Sequence, residues 1–303
     1  MKPLFEKKGK REHDNRNDTP EAPAALVVEG GALRGVFSAG VLDGFLREEF
    51  DPFDFYLGVS SGASNLAAFL ARMPGRNARI YMDHSLRPAF MNPARFLRGG
   101  HLLDLDWLWE VTIREMRLDL KRIYGRGKPF FVVMTDVRAG RAVYRETGPG
   151  DLEAVLKASS ALPFLYRGFP RIDGRAMADG GLTDAVPAAE AIRRGARRLV
   201  VIRSRTRDYV KRGGLSQALM AWCLRGYPAL ARAVARRAER YNGSVSLLRN
   251  PPPGVSVAEI NPPARFRVSR LTRDRDLLQE GYQMGLAAAK DLLRAGEAAF
   301  TRG

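Results

Sequence analysis

Apolar residues along this chain alternate between two patterns. Short continuous runs, AALVVE (24–29), FYLGV (55–59), FFVVMT (130–135) and LVVIR (199–203), read as buried strands, with VSVAEI (255–260) as a further one. Between them apolar residues recur at helical spacing in VFSAGVLDGFL (36–46), ASNLAAFLARM (63–73), DLEAVLKAS (151–159) and AAEAIRRGA (188–196). Strands that alternate with helices predict an α/β fold, with a three-layer architecture and a mainly parallel central sheet covered by helices on both faces. Residues 81–124, which include HLLDLDWLWEVTIREM, read as mostly helical cover over the loop end of that sheet. Beyond residue 204 the composition shifts to a mostly helical C-terminal extension. LSQALMAWCLRG (215–226) is one helix, Pro228 opens another in which Tyr227, Leu230, Val234 and Tyr241 keep helical spacing, and a terminal helix is expected over 275–300. On that second helix Arg232, Arg236 and Arg240 would form one basic stripe.

The first 22 residues carry many charges and little apolar surface, so they are expected to be a disordered basic tail. Residues 23–205 then form the core domain, and residues 206–303 the extension packed on it. Fifty Lys and Arg against 33 Asp and Glu leave a net charge of +17, which favours anionic partners without selecting one. Nucleic acid is not expected, because zinc-finger spacing and RNP-like motifs are both missing. Cys223 is the sole cysteine, so no intrachain disulfide forms, and no Cys/His cluster has metal-ligand spacing. The N-terminus lacks the apolar stretch of a signal peptide, and no window is apolar enough to span a bilayer. A cytoplasmic protein with at most peripheral membrane contact is the expectation.

Three glycine-containing turns carry the candidate chemistry. GVSSG (58–62) follows one predicted strand and precedes a helix, the setting in which G-x-S-x-G between Gly58 and Gly62 exposes a nucleophile, here Ser60. A serine needs a base. His13, His84 and His101 are the three histidines, His13 lies in the tail, and none follows residue 101, so the Ser–acid–His order of α/β-hydrolases is absent. His84 and His101 read as surface or partly buried polar residues. Asp179, followed by Gly180 and Gly181 in MADGGLTDAVP, is the candidate carboxylate base, with an ordinary turn as its alternative. EGGALRG (29–35) could present backbone N–H groups to an oxyanion at a helix start. A dinucleotide fingerprint is the competing reading of that turn. Ala32 at the middle glycine and the placement of Asp51 and Asp54 before the second strand weigh against it. Asp104 and Asp106 read as cap and surface acids in preference to a metal-binding pair, and Trp107 and Trp109 as core aromatics or the wall of an acyl pocket.

Taken together, the turn at 30–35, G-x-S-x-G at 58–62 and Asp-Gly-Gly at 179–181 resemble the patatin-like phospholipase family over residues 24–205. The stretches at 132–144 and 158–187 are similar to further family blocks, and 227–242 and 267–285 to the tail of a bacterial subgroup. The resemblance implies a serine lipid acyl hydrolase of phospholipase A, lysophospholipase or carboxylesterase type with no cofactor. Ser60 would be the nucleophile and Asp179 its base. Gly30, Gly31, Ala32 and Gly35 would belong to the oxyanion loop, with Arg34 supporting it. Substrates would be acyl esters or phospholipids, met at an anionic membrane surface. Ala32 stands where many members have glycine, and its methyl group disfavours a positive φ. The alternative implied by that departure is a catalytically weak lipid- or partner-binding protein on the same fold.

Overall fold

The computed structural model describes residues 22–302, so the expected tail lies outside the described residues apart from Ala22. Among them, nine strands form the sheet: β1 (Ala24–Val28), β2 (Phe55–Val59), β3 (Phe130–Asp136), β4 (Arg141–Glu146), β5 (Arg171–Ile172), β6 (Arg175–Asp179), β7 (Arg198–Ile202), β8 (Ser256–Ile260) and β9 (Thr301–Arg302). Their order is β5-β6-β3-β2-β1-β7-β8-β9, with β4 on β3. The inner ladder β3-β2-β1-β7-β8 is parallel, while β4, β6, β5 and β9 add antiparallel. The five apolar runs supply the parallel ladder. β4 and β6 carry arginines within short segments, so their apolar pattern does not announce them as strands.

Both sheet faces are covered. Successive residues of one strand enter opposite cores: Leu26, Val28 and Tyr56 pack in one cluster, and Ala25, Val27 and Leu57 in the other. The first face is covered by α1 (Val36–Arg47) and α2 (Ser61–Leu70). A segment of short pieces follows, α3 (Arg76–Arg79), α4 (Pro93–Leu97), α5 (Leu105–Met116) and α6 (Leu120–Tyr124), broadly as expected for residues 81–124. After these come α7 (Leu152–Ser160), α8 (Ala188–Arg193), α9 (Leu215–Cys223), α10 (Pro228–Ala235), α11 (Arg237–Arg249) and α12 (Arg275–Ala295). α8 and α11 supply Ala191, Tyr241 and Val245 to the second core. The long α12 lies against α1, where the Tyr282 hydroxyl donates to Asp43 at 2.8 Å, so the C-terminal region shares the first core.

Two helices differ from the sequence reading. The expected terminal helix stops at Ala295, because Gly296 adopts φ 56 and the chain turns to place β9 on β8. The expected helix after Pro228 breaks at Arg236, whose ψ of 8° separates α10 from α11. That break also dissolves the basic stripe: Arg232 and Arg236 are exposed, whereas Arg240 turns inward to the carbonyls of Leu182 and Ala233.

Candidate active site

β3 brings the first two parts of the site together. Its residues from Phe131 to Asp136 pair with β4 along one edge. The other edge is therefore shared: Val133 pairs with Val59 of β2, and the next residue, Met134, pairs with Asp179 of β6. A parallel strand and an antiparallel strand thus meet end to end on one edge, and the residue after Val59 is Ser60. The Ser60 hydroxyl therefore lies beside the Asp179 carboxylate and helps hold its pKa down, and both residues line the same cavity. Gly180 is required by the same junction, because a Cβ there would lie 2.2 Å from the Val133 carbonyl oxygen.

Ser60 sits in a strained turn. Its backbone holds φ 53 and ψ −127, a region that costs an L-residue about 1–3 kcal/mol. Surrounding bonds hold it there: the Ser60 N–H donates to Ser159 Oγ at 2.8 Å, and that hydroxyl donates to the Val133 carbonyl at 2.6 Å. Gly62 lets the elbow close, since a Cβ would fall 2.5 Å from the Val28 oxygen. The strand, sharp turn and helix required around G-x-S-x-G are all present.

The loop after β1 crosses next to this elbow. Arg34 is buried and donates from Nε to the Ser204 carbonyl at 3.1 Å and from Nη2 to Ser204 Oγ at 3.3 Å. Ser204 Oγ in turn donates to the Gly30 carbonyl at 3.1 Å, so Arg34 braces the loop against the end of β7. The Gly31 N–H is engaged by Ser61 Oγ at 2.9 Å and is not an open donor in this conformation. The amides of Gly30 and Ala32 have no acceptor among the described residues. Ala32 adopts φ 51 in spite of its methyl group, which costs about 1–2 kcal/mol and keeps the loop in its glycine-like shape. Gly35 lies behind the elbow, where a Cβ would meet Ser61 Oγ at 2.8 Å.

Burial raises the Asp179 carboxyl above the usual carboxylate range; Arg237, the Ser60 hydroxyl and the Gly181 N–H, at 2.7 Å, act against that rise. No sequence pattern marks Arg237, which lies one residue off the arginine stripe. It is drawn in by the break at Arg236, and its Nε donates to the Gly181 carbonyl at 2.7 Å. Ionised Asp179 is the form able to accept a proton, so removing the Arg237 charge favours the protonated acid. Arg237→Gln is expected to move the acidic limb of the kcat/KM profile about one pH unit higher, with Arg237→Lys restoring it. A limb that stays in place in Arg237→Gln would contradict this.

Ser60, Asp179 and the 30–35 loop open into one cavity. One arm is mostly apolar, walled by Leu105, Leu108, Trp109 and Ile113 of α5 together with Leu156 and Leu162, with Arg76 and Glu153 also reaching it near the end of α5. Of the two tryptophans, Trp109 lines this arm and Trp107 packs beside His84 at its back. His84 is fully buried, more so than expected from the sequence. His101 stacks on Tyr166 and accepts from the Arg167 N–H, and neither histidine lines the cavity. Asp104 caps α5 by accepting from the Trp107 N–H, and Asp106 pairs with Lys157 and Tyr166. The other arm holds Arg205, Lys211, Arg237 and Arg270. Arg237 and Arg270 fall in the 227–242 and 267–285 stretches, where the sequence resemblance gives them no role, and Arg205 and Lys211 fall in no motif.

The family profile described as patatin-like phospholipase matches residues 26–192, and a domain of unknown function, DUF6363, matches residues 227–299. The uncharacterized protein YjjU of Escherichia coli is 36% identical over 265 residues, which cover 86% of this chain and 74% of that protein. An uncharacterized NTE family protein of Mycobacterium bovis is 28% identical over 193 residues, and the match spans 55% of this chain and 48% of that relative. The crystal structure of VipD from Legionella pneumophila aligns with 91% of this chain and 67% of its own, at a TM-score of 0.48 and 14% identity.

Proposed function

We propose that this chain, which belongs to the patatin-like phospholipase family, is a serine acyl-ester hydrolase in which Ser60 is the nucleophile and Asp179 the base. The observation that carries the reading is the β3 edge on which Val59 and Asp179 face successive residues, setting the serine against a buried carboxylate. Ser60 Oγ attacks the ester carbonyl carbon while its proton passes to Asp179. The tetrahedral oxyanion is held by the free amides of the 30–35 loop. Collapse breaks the bond to the alcohol, which leaves with the proton from Asp179, and the acyl group stays on Ser60. Asp179 then takes a proton from water, the resulting hydroxide attacks the acyl carbonyl, and the carboxylic acid departs as Ser60 regains its proton. The apolar arm beneath α5 is shaped for the acyl chain. Purified protein assayed on a medium-chain chromogenic ester tests the reading: turnover supports it, and none contradicts it.

Contact with a lipid surface is assigned to α9 in place of the broken arginine stripe. Leu215, Leu219 and Trp222 recur at i, i+4 and i+7 and are all exposed, Leu215 by 91%. Arg225 stacks on Trp222 at 4.4 Å, an arrangement suited to an anionic interface. Among the described residues no helix is long and apolar enough to cross a membrane, so the contact is superficial. Replacing Leu219 and Trp222 together by serine is expected to weaken sedimentation with anionic phospholipid vesicles about tenfold or more. Added salt is expected to weaken wild-type binding as well. Equal binding of the double variant and wild type would overturn the assignment.

A further inference from the structure

Apart from Arg237, which favours ionised Asp179, the cationic arm of the cavity has no use in the acyl-transfer steps just described. It is built almost wholly from the C-terminal region: Lys211 follows β7, Arg237 begins α11 and Arg270 lies in the loop before α12, with Arg205 beside them and Arg34 beneath. The two carboxylates at this end are already engaged. Glu29 accepts from Arg203 at 3.1 Å and from the Ser204 N–H at 2.8 Å, and Asp179 accepts from the Gly181 N–H and faces Ser60. Arg205 lies over the Tyr209 ring at 4.2 Å, Lys211 over the Tyr241 ring at 5.0 Å, and Arg237 on the Gly181 carbonyl. Among the described residues none of these three, nor Arg270, forms an ion pair with a carboxylate. Like charges gathered in a partly desolvated pocket repel one another: burial, then Arg237 and Arg270, pull the Lys211 ammonium down to about 7, and burial, then Arg205 and Arg270, pull Arg34 down to about 9. Such a cluster is stabilised when an anion enters, and guanidinium groups match phosphate oxygens in pairs.

We infer that this arm is a subsite for a phosphate on the alcohol side of the ester, so that the substrate is an acyl ester whose headgroup is anionic and carries no compensating cation. The inference rests on the proposed Ser60–Asp179 hydrolysis. With the acyl chain in the apolar arm and the carbonyl carbon at Ser60, the departing alcohol points along the other arm, toward Lys211 and Arg270. A quaternary ammonium there would meet cations from several sides, so a zwitterionic headgroup is disfavoured. The C-terminal region thereby acquires a role in choosing the substrate.

The test compares three lysolipids of one acyl chain: a phosphoglycerol ester, a phosphocholine ester and an uncharged monoacylglycerol. Wild type is expected to show a kcat/KM at least tenfold higher for the phosphoglycerol ester than for either other substrate. That preference should shrink as ionic strength rises. Lys211→Met and Arg270→Gln, made separately, are expected to bring the ratio of anionic to uncharged substrate to within about threefold of unity, whereas Arg232→Gln, on the exposed face of α10, retains it. Inorganic phosphate should inhibit hydrolysis of the phosphoglycerol ester competitively in wild type, and much less in Lys211→Met. Equal kcat/KM on all three substrates, or a preference that survives both substitutions, overturns the subsite while leaving the hydrolase reading in place. Phosphate binding that depends on Lys211 without any headgroup preference also overturns it, in favour of a site for the free ion. If none of the three lysolipids is cleaved, the subsite is overturned, and the hydrolase reading falls with it only where the chromogenic ester is not cleaved either.

Discussion

Ser60→Ala is expected to lower ester hydrolysis about 10⁴-fold or more while the protein keeps its fold. The substitution removes one oxygen from a turn that is held by other groups: the Ser60 amide bond to Ser159, the Ser159 bond to the Val133 carbonyl, and the close passage of Gly62 over Val28. None of these uses the hydroxyl. What disappears is the attacking atom, and the loop and cavity that remain supply only residual acceleration over water. Steady-state kinetics beside a melting curve separates the two effects. A loss of activity accompanied by collapse of the melting transition would instead make Ser60 a structural residue.

Asp179→Asn is expected to divide activity from stability in the opposite direction. Asparagine keeps the oxygen that accepts from the Gly181 N–H but cannot take a proton from Ser60, so hydrolysis should fall by about 10²–10⁴-fold. Stability should rise. Burial holds the folded-state pKa of Asp179 above its unfolded value, so the native protein bears a cost for the ionised form. That cost is absent at pH values below the unfolded pKa and grows as pH rises through the folded pKa, the sign opposite to that of a carboxylate stabilised by an ion pair. The difference in melting temperature between Asp179→Asn and wild type is therefore expected to be small in acid and to widen toward neutral pH. A variant that is both less active and less stable at neutral pH would mean that the carboxylate serves the fold instead.

Much of this site can be read from the chain because strands and turns are local. The runs at 24–28, 55–59 and 199–202 are apolar on both faces, which only a central parallel ladder buries, and the residues that follow the first two, Glu29 and Ser60, line the cavity. G-x-S-x-G and Asp-Gly-Gly are legible for a similar reason: Gly62 and Gly180 fit where no side chain does, and such constraints leave a residue-type signature. The meeting of Ser60 and Asp179 is less accessible. It depends on β6 continuing the edge that β2 leaves, and β6 is a short segment beginning with an arginine. Nothing local marks Lys211, Arg237 and Arg270 as neighbours. They arrive from three separated segments, and Arg237 turns inward only because the backbone breaks at Arg236. In a chain with 50 basic residues, a cationic cluster leaves no mark on the sequence. Ala32 shows the converse limit. Its side chain argues against a positive φ, yet the Arg34–Ser204 brace and the neighbouring elbow hold it there.

Every proposed chemical step depends on activation of Ser60 by Asp179. Labelling with a fluorophosphonate, which forms a stable bond to an activated serine oxygen, followed by peptide mass spectrometry tests it most directly. One adduct is expected on the peptide that contains Ser60, absent in Ser60→Ala and formed far more slowly in Asp179→Asn. Ester turnover without an adduct at Ser60, or labelling of Asp179→Asn at the wild-type rate, would contradict it.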